Sequence, residues 1–125
     1  MEAVALQSGD RVHVGEVEGR VVGFCTIRAS EDLDADGVAF AEMPTLYVLP
    51  DFWHRGYGQL LCAEGLRQAS RRGFIAVTLW VIDVNTRARQ FYEQSGFVPD
   101  GATKNVEDSN SPTVAHRLRI SLQDP

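Results

Sequence analysis

The chain has 125 residues, of which 44% are hydrophobic and 23% charged, and this composition predicts a single globular domain over residues 1–125 with a buried core. The formal net charge of −5 at pH 7 argues against nucleic acid as a partner and permits a cationic or amine-bearing one. No apolar run reaches the roughly 18 residues that a membrane-spanning helix needs, and the N-terminus lacks the pattern of a signal peptide. Cys25 and Cys62 lie in apolar segments without the spacing of metal ligands, which predicts buried, reduced thiols, no metal and a cytoplasmic location.

A β-hairpin is predicted at residues 11–28, where two valine-rich runs flank Glu18 and Gly19. The next segment, residues 29–37, has almost no bulky apolar residue. Its acidic side chains are Glu31, Asp32, Asp34 and Asp36. Two interpretations of this acidic loop stay open, a loop exposed to water and a rim that attracts a cationic substrate.

Residues 38–49 are apolar and typical of a strand, but Pro44 interrupts them and predicts a bulge or a break in pairing. An amphipathic helix follows and is predicted to end at Gly73. The nearly continuous apolar run at residues 75–82 indicates a strand that is covered on both faces. Together these elements predict a right-handed βαβ unit in which residues 46–49 run parallel to residues 75–82.

A second helix is predicted to begin at Asn85, a favourable N-cap residue, and to end at Gly96. Residues 99–112 are polar and predicted to be rich in turns, whereas residues 114–122 alternate as a strand does. The predicted order ββ, β, α, β, α, ββ describes an α/β domain with a mixed sheet.

The segment LYVLPDFWHRGYGQLL, residues 46–61, joins the interrupted strand to the first helix. Gly56 and Gly58 stand at the predicted start of that helix, where unpaired N–H groups and the helix dipole attract an anion. The pattern therefore predicts either a phosphate-binding loop or an ordinary tight turn.

In this segment and in NTRARQFYEQSGF, the chain resembles the GNAT superfamily of acyl-CoA-dependent N-acetyltransferases. Both segments occur in the family's order and follow a β-hairpin. The family's loop is usually Gln or Arg, two residues, Gly, one residue, then Gly or Ala, and here Trp53 replaces the Gln or Arg. The resemblance implies a GNAT-like mixed sheet with a central βαβ acyl-CoA-binding unit. It also implies N-acetyltransferase activity with acetyl-CoA (coenzyme A) as co-substrate.

The resemblance further implies that the pantetheine arm of the coenzyme lies along the strand before the loop, and that main-chain N–H groups of the loop hold the pyrophosphate. Arg55 would add charge there or simply lie in solvent, and His54 is expected to be exposed beside the loop. The residues so assigned to the coenzyme are Leu46, Tyr47, Val48, Trp53, His54, Arg55, Gly56, Tyr57, Gly58, Gln59, Asn85 and Tyr92.

Three residues carry alternatives. Tyr92 matches the family's tyrosine that acts as general acid near the sulfur, but an aromatic residue at helical spacing also fits the core. Asn85 matches the position that contacts the pantetheine arm, and it also fits a helix cap. Glu42 stands where histone acetyltransferases of this superfamily have a catalytic glutamate, and it fits a structural or solvated carboxylate equally well.

Residues 1–10 are all that precede the hairpin, whereas the family normally has a strand and helices there that form part of the acceptor wall. We therefore expect an N-terminally reduced variant with an open acceptor side, and a homodimer formed through residues 114–120 or through that side. Two functions stay open. One is an N-acetyltransferase acting on a primary amine of a small molecule or protein by direct attack in a ternary complex, and the other is a non-catalytic acyl-CoA-binding or interaction module.

Overall fold

The computed structural model describes residues 5–8, 11–32, 34, 39–108 and 111–122. Its strands are β1 (Ala5–Ser8), β2 (Val12–Val17), β3 (Arg20–Thr26), β4 (Arg28–Ala29), β5 (Phe40–Glu42), β6 (Leu46–Val48), β7 (Ala76–Ile82), β8 (Val98–Asp108) and β9 (Ser111–Ser121). The helices are α1 (Tyr57–Arg71) and α2 (Thr86–Gln94), and a 3-10 turn covers Pro50–Phe52. This order confirms the predicted α/β class, the hairpin and both helices. Within these ranges no helix has the length and apolar character needed to cross a bilayer.

The strands form two sheets, in the orders β1-β2-β3-β6 and β4-β5-β7-β9-β8. Strand β7 pairs in parallel with β5, whereas β6 pairs antiparallel with β3 in the other sheet. The parallel partner of residues 75–82 is therefore residues 40–42, and the prediction that it is residues 46–49 is wrong. The exchange takes place around Pro44: the Met43 N–H donates to Thr78 of the second sheet, and the Thr45 carbonyl accepts from Thr26 of the first, both at 2.9 Å. Proline has no N–H for a ladder, and it stands at the position where the chain leaves one sheet for the other.

The C-terminal region differs from expectation. Residues 99–112 were predicted to be turn-rich, and this is wrong, because β8 covers most of them with a register shift between Pro99 and Thr103. Strand β9 lies between β7 and β8, so both of its edges are paired. Strand β9 therefore has no free edge for a dimer contact, and a homodimer formed through residues 114–120 or through the acceptor side stays a prediction.

Helix α1 packs against both sheets through two successive residues. Leu61 belongs to an apolar cluster with Val22 and Val48 of the first sheet, and Cys62 belongs to one with Val77 of the second. Gly23 allows this packing, because a Cβ there would lie 2.6 Å from the Tyr47 carbonyl oxygen and 2.8 Å from Leu61 Cδ1.

Both thiols are buried and unbridged, as predicted. Burial raises the pKa of Cys25 to about 12 and that of Cys62 to about 11, so both stay protonated near neutral pH.

Two of the placed residues of the acidic loop are paired with an arginine of the second sheet, whereas the third, Glu31, has a side chain that is 75% exposed and lies 3.8 Å from Arg28. Arg117 of β9 contacts Asp32 at 3.3 Å, Asp34 at 2.7 Å and Asp100 at 2.6 Å. Trp80 also donates its Nε1–H to Asp32. We call Arg117, Asp32, Asp34 and Asp100 the arginine cluster. It fastens the loop to the face of the second sheet, so the charges of Asp32 and Asp34 are neutralised rather than free to attract a cation. The exposed side chains of Glu31 and Asp34 agree with the interpretation of a loop exposed to water, that of Asp32 does not, and Asp36 lies outside the described residues.

His13 of β2 is buried to 1% exposure, and neither ring nitrogen has a partner within the described chain. Burial lowers its pKa, Arg72 lowers it further, and Glu64 acts in the opposite direction. The unfolded chain therefore takes up a proton at this site more readily than the folded protein does.

We expect the free energy of unfolding to fall by up to about 1 kcal/mol between pH 7.5 and pH 5.5 through His13 alone, since the unfolded imidazole protonates near pH 6.5. His13→Leu should remove this part of the pH dependence and leave stability at pH 7.5 equal or higher, because no buried polar atom is left unpaired. Urea unfolding of both proteins at the two pH values tests this. If the free energy of unfolding of His13→Leu fell by the same amount between these pH values, groups other than His13 would be responsible for the acid sensitivity.

Candidate active site

A groove of about 910 Å³ opens between β6, the loop that follows it and helix α2. Strand β6 contributes Leu46, Tyr47 and Val48; the loop and the start of α1 contribute Phe52, Trp53, His54, Gly56, Gly58 and Gln59; α2 and its cap contribute Asn85, Arg87, Ala88, Gln90, Phe91, Tyr92 and Gln94. Most of the predicted coenzyme residues therefore come together in one groove. Arg55 and Tyr57 are outside this lining: Tyr57 is buried against Phe52, and the Arg55 guanidinium lies 5.1 Å from the centre of the Phe52 ring.

Strand β6 presents a free edge to this groove. Its bonds to β3 alternate along an antiparallel ladder, with Thr45 and Leu49 bonded to Thr26 and Val22. The N–H and carbonyl groups of Leu46 and Val48 consequently point away from β3. An extended ligand with amide groups can pair with this edge as another strand would.

The loop delivers unpaired N–H groups to one end of the groove. Gly56 is the N-cap of α1 with φ of 85°, a left-handed conformation that favours glycine. The first bond of the helix turn runs from the Leu60 N–H to the Gly56 carbonyl, at 3.1 Å. The N–H groups of Tyr57, Gly58 and Gln59 therefore precede the helical ladder and are available to an anion. The predicted cradle from Trp53 to Gln59 begins later than expected, because the Trp53 N–H already donates to Pro50.

Gly58 has a second role that the sequence did not reveal. A Cβ at this position would lie 3.2 Å from the Phe91 ring, which is closer than most side chains tolerate. The glycine thus lets α1 approach α2, and it shapes the groove through packing as well as through its own backbone.

Trp53 uses its side chain at the edge of β6. Its indole Nε1–H donates to the Val48 carbonyl at 2.7 Å. One acceptor of the free strand edge is therefore satisfied by the protein itself, and the indole ring is fixed at the groove wall.

Helix α2 forms the opposite wall. The Asn85 side chain accepts a hydrogen bond from the Ala88 N–H at 3.2 Å, which confirms its capping role, and Asn85 also lines the groove. The Tyr92 ring lies edge-on to Phe91 and Phe97, with centroids 5.2 and 5.7 Å away. Burial raises the pKa of Tyr92 to about 12, so its hydroxyl keeps its proton at neutral pH.

Comparison with known proteins identifies the fold and the family. Residues 2–97 match the acetyltransferase (GNAT) family. The chain belongs to the GNAT family. An uncharacterised N-acetyltransferase of Methanocaldococcus jannaschii is 35% identical over 88 residues, which are 70% of this chain and 39% of that relative. Two further curated relatives are covered over 56% and 27% of their length, so the chain spans less than two thirds of these proteins.

Solved GNAT structures have the same fold. Ard1 from Thermoplasma volcanium aligns with a TM-score of 0.78 at 24% identity, over 92% of this chain and 72% of that one. The yncA protein of Salmonella typhimurium, whose structure includes its cofactor acetyl-CoA, aligns with a TM-score of 0.78 at 19% identity, over 91% of this chain and 65% of that one.

Glu42, the candidate base of this GNAT domain, is not among the residues that line the groove. Its side chain is 11% exposed and accepts a hydrogen bond from Arg28 at 3.2 Å. This ion pair favours the structural interpretation of Glu42. The described lining of the groove contains no carboxylate, and no cluster of three metal-ligating side chains is found among the placed residues.

Sequence reasoning missed the side chains that α2 contributes to the groove besides Asn85 and Tyr92. Arg87, Gln90, Phe91 and Gln94 stand at spacings of three, four and seven, which place them on one helix face. Asn85, Ala88 and Tyr92 have the same spacing among themselves but lie on another face of α2, so assigning Asn85 or Tyr92 to the groove gave no local signal for these four residues.

Proposed function

We propose that the protein is an acetyl-CoA-dependent N-acetyltransferase that acts on a primary amine of a small molecule or protein. The observation that carries the proposal is the groove itself, which is lined by a free strand edge, a helix N-terminus and the Tyr92 ring. An elongated co-substrate with amide groups at its centre and phosphates at one end can use the first two of these features at once.

When acetyl-CoA is bound, it supplies a thioester whose carbonyl carbon the amine attacks directly in a ternary complex. The polar edge of β6 at Leu46 and Val48 orients the amide-bearing arm, and the N–H groups of Tyr57, Gly58 and Gln59 bind the phosphates. The N–H groups of β6 are also available to stabilise a developing oxyanion. Tyr92 donates its hydroxyl proton to the departing sulfur, and the phenolate that this leaves takes a proton back from water, which restores the acid for the next turnover.

The acceptor amine must lose a proton during the reaction. The described groove lining offers no carboxylate to take it, and its one imidazole, His54, lies exposed in the loop before α1, whereas Tyr92 lies on α2. We therefore propose that the amine reacts in its neutral form and that water accepts its proton. The same observation favours a second candidate function, a non-catalytic acyl-CoA-binding module, since such a module needs the groove and no base.

Incubation with acetyl-CoA and a panel of amines, followed by mass spectrometry, separates the two functions. The enzyme gives an acetylated amine in amounts that exceed the protein many times over. Tight CoA binding without any product over the whole panel would instead favour the module, and absence of CoA binding would contradict both.

Gly58→Val should weaken CoA binding at least tenfold, about 1.4 kcal/mol. A branched side chain at this position displaces the Phe91 ring into the groove and lowers the melting temperature as well. Calorimetric titration with CoA measures the first effect. Ala63→Val is the matched control, since Ala63 is an exposed residue of the same helix. A folded Gly58→Val protein with wild-type affinity would show that the α1–α2 approach is irrelevant to the coenzyme.

A further inference from the structure

One cationic side chain in the groove, Arg87, has an aromatic partner but no carboxylate partner among the described residues. The Arg87 guanidinium lies over the Trp53 ring, 5.1 Å from the ring centre, and both residues line the groove. Trp53 is 43% exposed, so its ring face is open to a ligand, while its Nε1–H is fixed on Val48. The two side chains thus come from opposite walls and meet across the groove.

The position of Arg87 is electrostatically unfavourable for the helix that carries it. It is the second residue of α2, and a cation in the first turn faces the positive end of the helix dipole. No acidic residue stands in that turn, and no described carboxylate forms an ion pair with Arg87. Arg89, two residues later, does contact Asp83 and Glu93. Among the described residues, Arg87 therefore has the Trp53 ring as its partner and no anion that would balance its charge at this end of the helix.

We infer that Trp53 and Arg87 form a stacked pair that binds a phosphate group of the coenzyme. The inference rests on the proposed function and names two binding residues for it. A phosphate supplies the negative charge that the first turn of α2 lacks, and a guanidinium contacts two phosphate oxygens at once. In this chain Trp53 stands where the family's loop usually has Gln or Arg, so the loop lacks that polar side chain. Arg87, which lies on α2, supplies a polar contact to the phosphate in its place.

The contact between the Trp53 ring and the Arg87 guanidinium gives the large side chain of Trp53 a role in the loop. Arginine has a long, flexible side chain, and a ring beneath the guanidinium limits its freedom before the ligand arrives. The hydrogen bond from Trp53 to Val48 in turn fixes the ring. Both residues are thus needed for one contact, so their effects on affinity should not add.

The test is a comparison of Kd values for CoA, dephospho-CoA and pantetheine, measured by calorimetry or NMR titration on wild type, Arg87→Gln, Trp53→Leu and the double variant. Arg87→Gln should raise the Kd for CoA about tenfold and leave that for pantetheine, which has no phosphate, unchanged. Trp53→Leu should have a similar effect, and the double variant should bind no more weakly than the weaker single variant. Arg71→Gln removes the same charge at the last residue of α1, about 20 Å along that helix from the loop, and should bind as wild type does.

Dephospho-CoA identifies the phosphate. If Arg87→Gln also binds dephospho-CoA more weakly than wild type does, the pair contacts the diphosphate. If the two proteins bind dephospho-CoA equally well, the pair contacts the 3′-phosphate. Wild-type affinity for CoA in Arg87→Gln, or an equal loss for pantetheine, would overturn the inference and leave the proposed function standing. A wild-type protein that binds no CoA would overturn the proposed function and the inference together. Because Arg87 is exposed, its variant should fold even if Trp53→Leu does not.

Discussion

Tyr92→Phe should lower kcat by roughly 10²- to 10⁴-fold, the usual contribution of general acid catalysis. The change keeps the ring that packs edge-on to Phe91 and Phe97 and deletes only the hydroxyl. No hydrogen bond joins that hydroxyl to another described residue, so its loss should cost little stability. CoA affinity should also change little, because the phosphate and arm contacts come from other residues.

Steady-state kinetics, CoA titration and thermal unfolding of Tyr92→Phe and wild type distinguish the roles of this residue. A loss of affinity without a loss of kcat would indicate an anchor, and a lower melting temperature alone would indicate a core residue. Tyr57→Phe is the matched control, since Tyr57 is buried outside the groove lining. A Tyr92→Phe enzyme that turns over within twofold of wild type would remove Tyr92 from the mechanism.

If Tyr92 is the general acid, its pKa also predicts how kcat depends on pH. Because burial raises this pKa to about 12, the hydroxyl keeps its proton as the solution becomes alkaline. No alkaline decline of kcat should therefore arise from Tyr92 below about pH 11. An unburied tyrosine, by contrast, would be half deprotonated near pH 10.

Arg117→Gln should destabilise the fold by about 2 to 3 kcal/mol and lower the melting temperature by roughly 10 °C. The Arg117 side chain is 13% exposed, and those of Asp32 and Asp100 are each 16% exposed. Without the guanidinium, these two carboxylates are poorly hydrated and have no arginine to pair with. This lowers the free energy of unfolding more than the loss of a surface ion pair does. Chemical and thermal unfolding measure the effect.

Arg119→Gln is the control for Arg117→Gln, because it removes the same charge from the same strand, where Arg119 lies over the Phe40 ring. We expect it to cost less than 1 kcal/mol, as exposed cation–π contacts do. Equal melting temperatures for Arg117→Gln and wild type would mean that the arginine cluster does not hold the acidic loop to the sheet.

Local signals in the sequence predicted local structure well. Asn85 was identified as a helix cap from its residue type, and its side chain does cap α2. The change of sheet at Pro44 was anticipated as interrupted pairing, because proline lacks an N–H. The groove residues of β6 and the loop followed from one continuous segment, so their proximity required no long-range information.

The remaining features depend on contacts between distant residues. Asp34 and Arg117 are 83 positions apart, and no local pattern indicates that one neutralises the other. Strand β8 is polar and contains Pro99 and Gly101, and it is extended because β9 pairs with it. Glu42 resembled a base by its position in the chain, but its role depends on Arg28, which only the pairing of β4 with β5 brings beside it.

The packing of Leu61 and Cys62 into separate clusters has a consequence for how the domain loses its structure. The groove is lined by β6 of the first sheet, by the start of α1 and by α2, and neighbouring side chains of α1 enter the cores of both sheets. Opening either sheet uncovers one face of α1 and so weakens the other sheet's core. The two sheets therefore form one cooperative unit, and a ligand bound in the groove protects both from local unfolding, although the only strand it touches is β6.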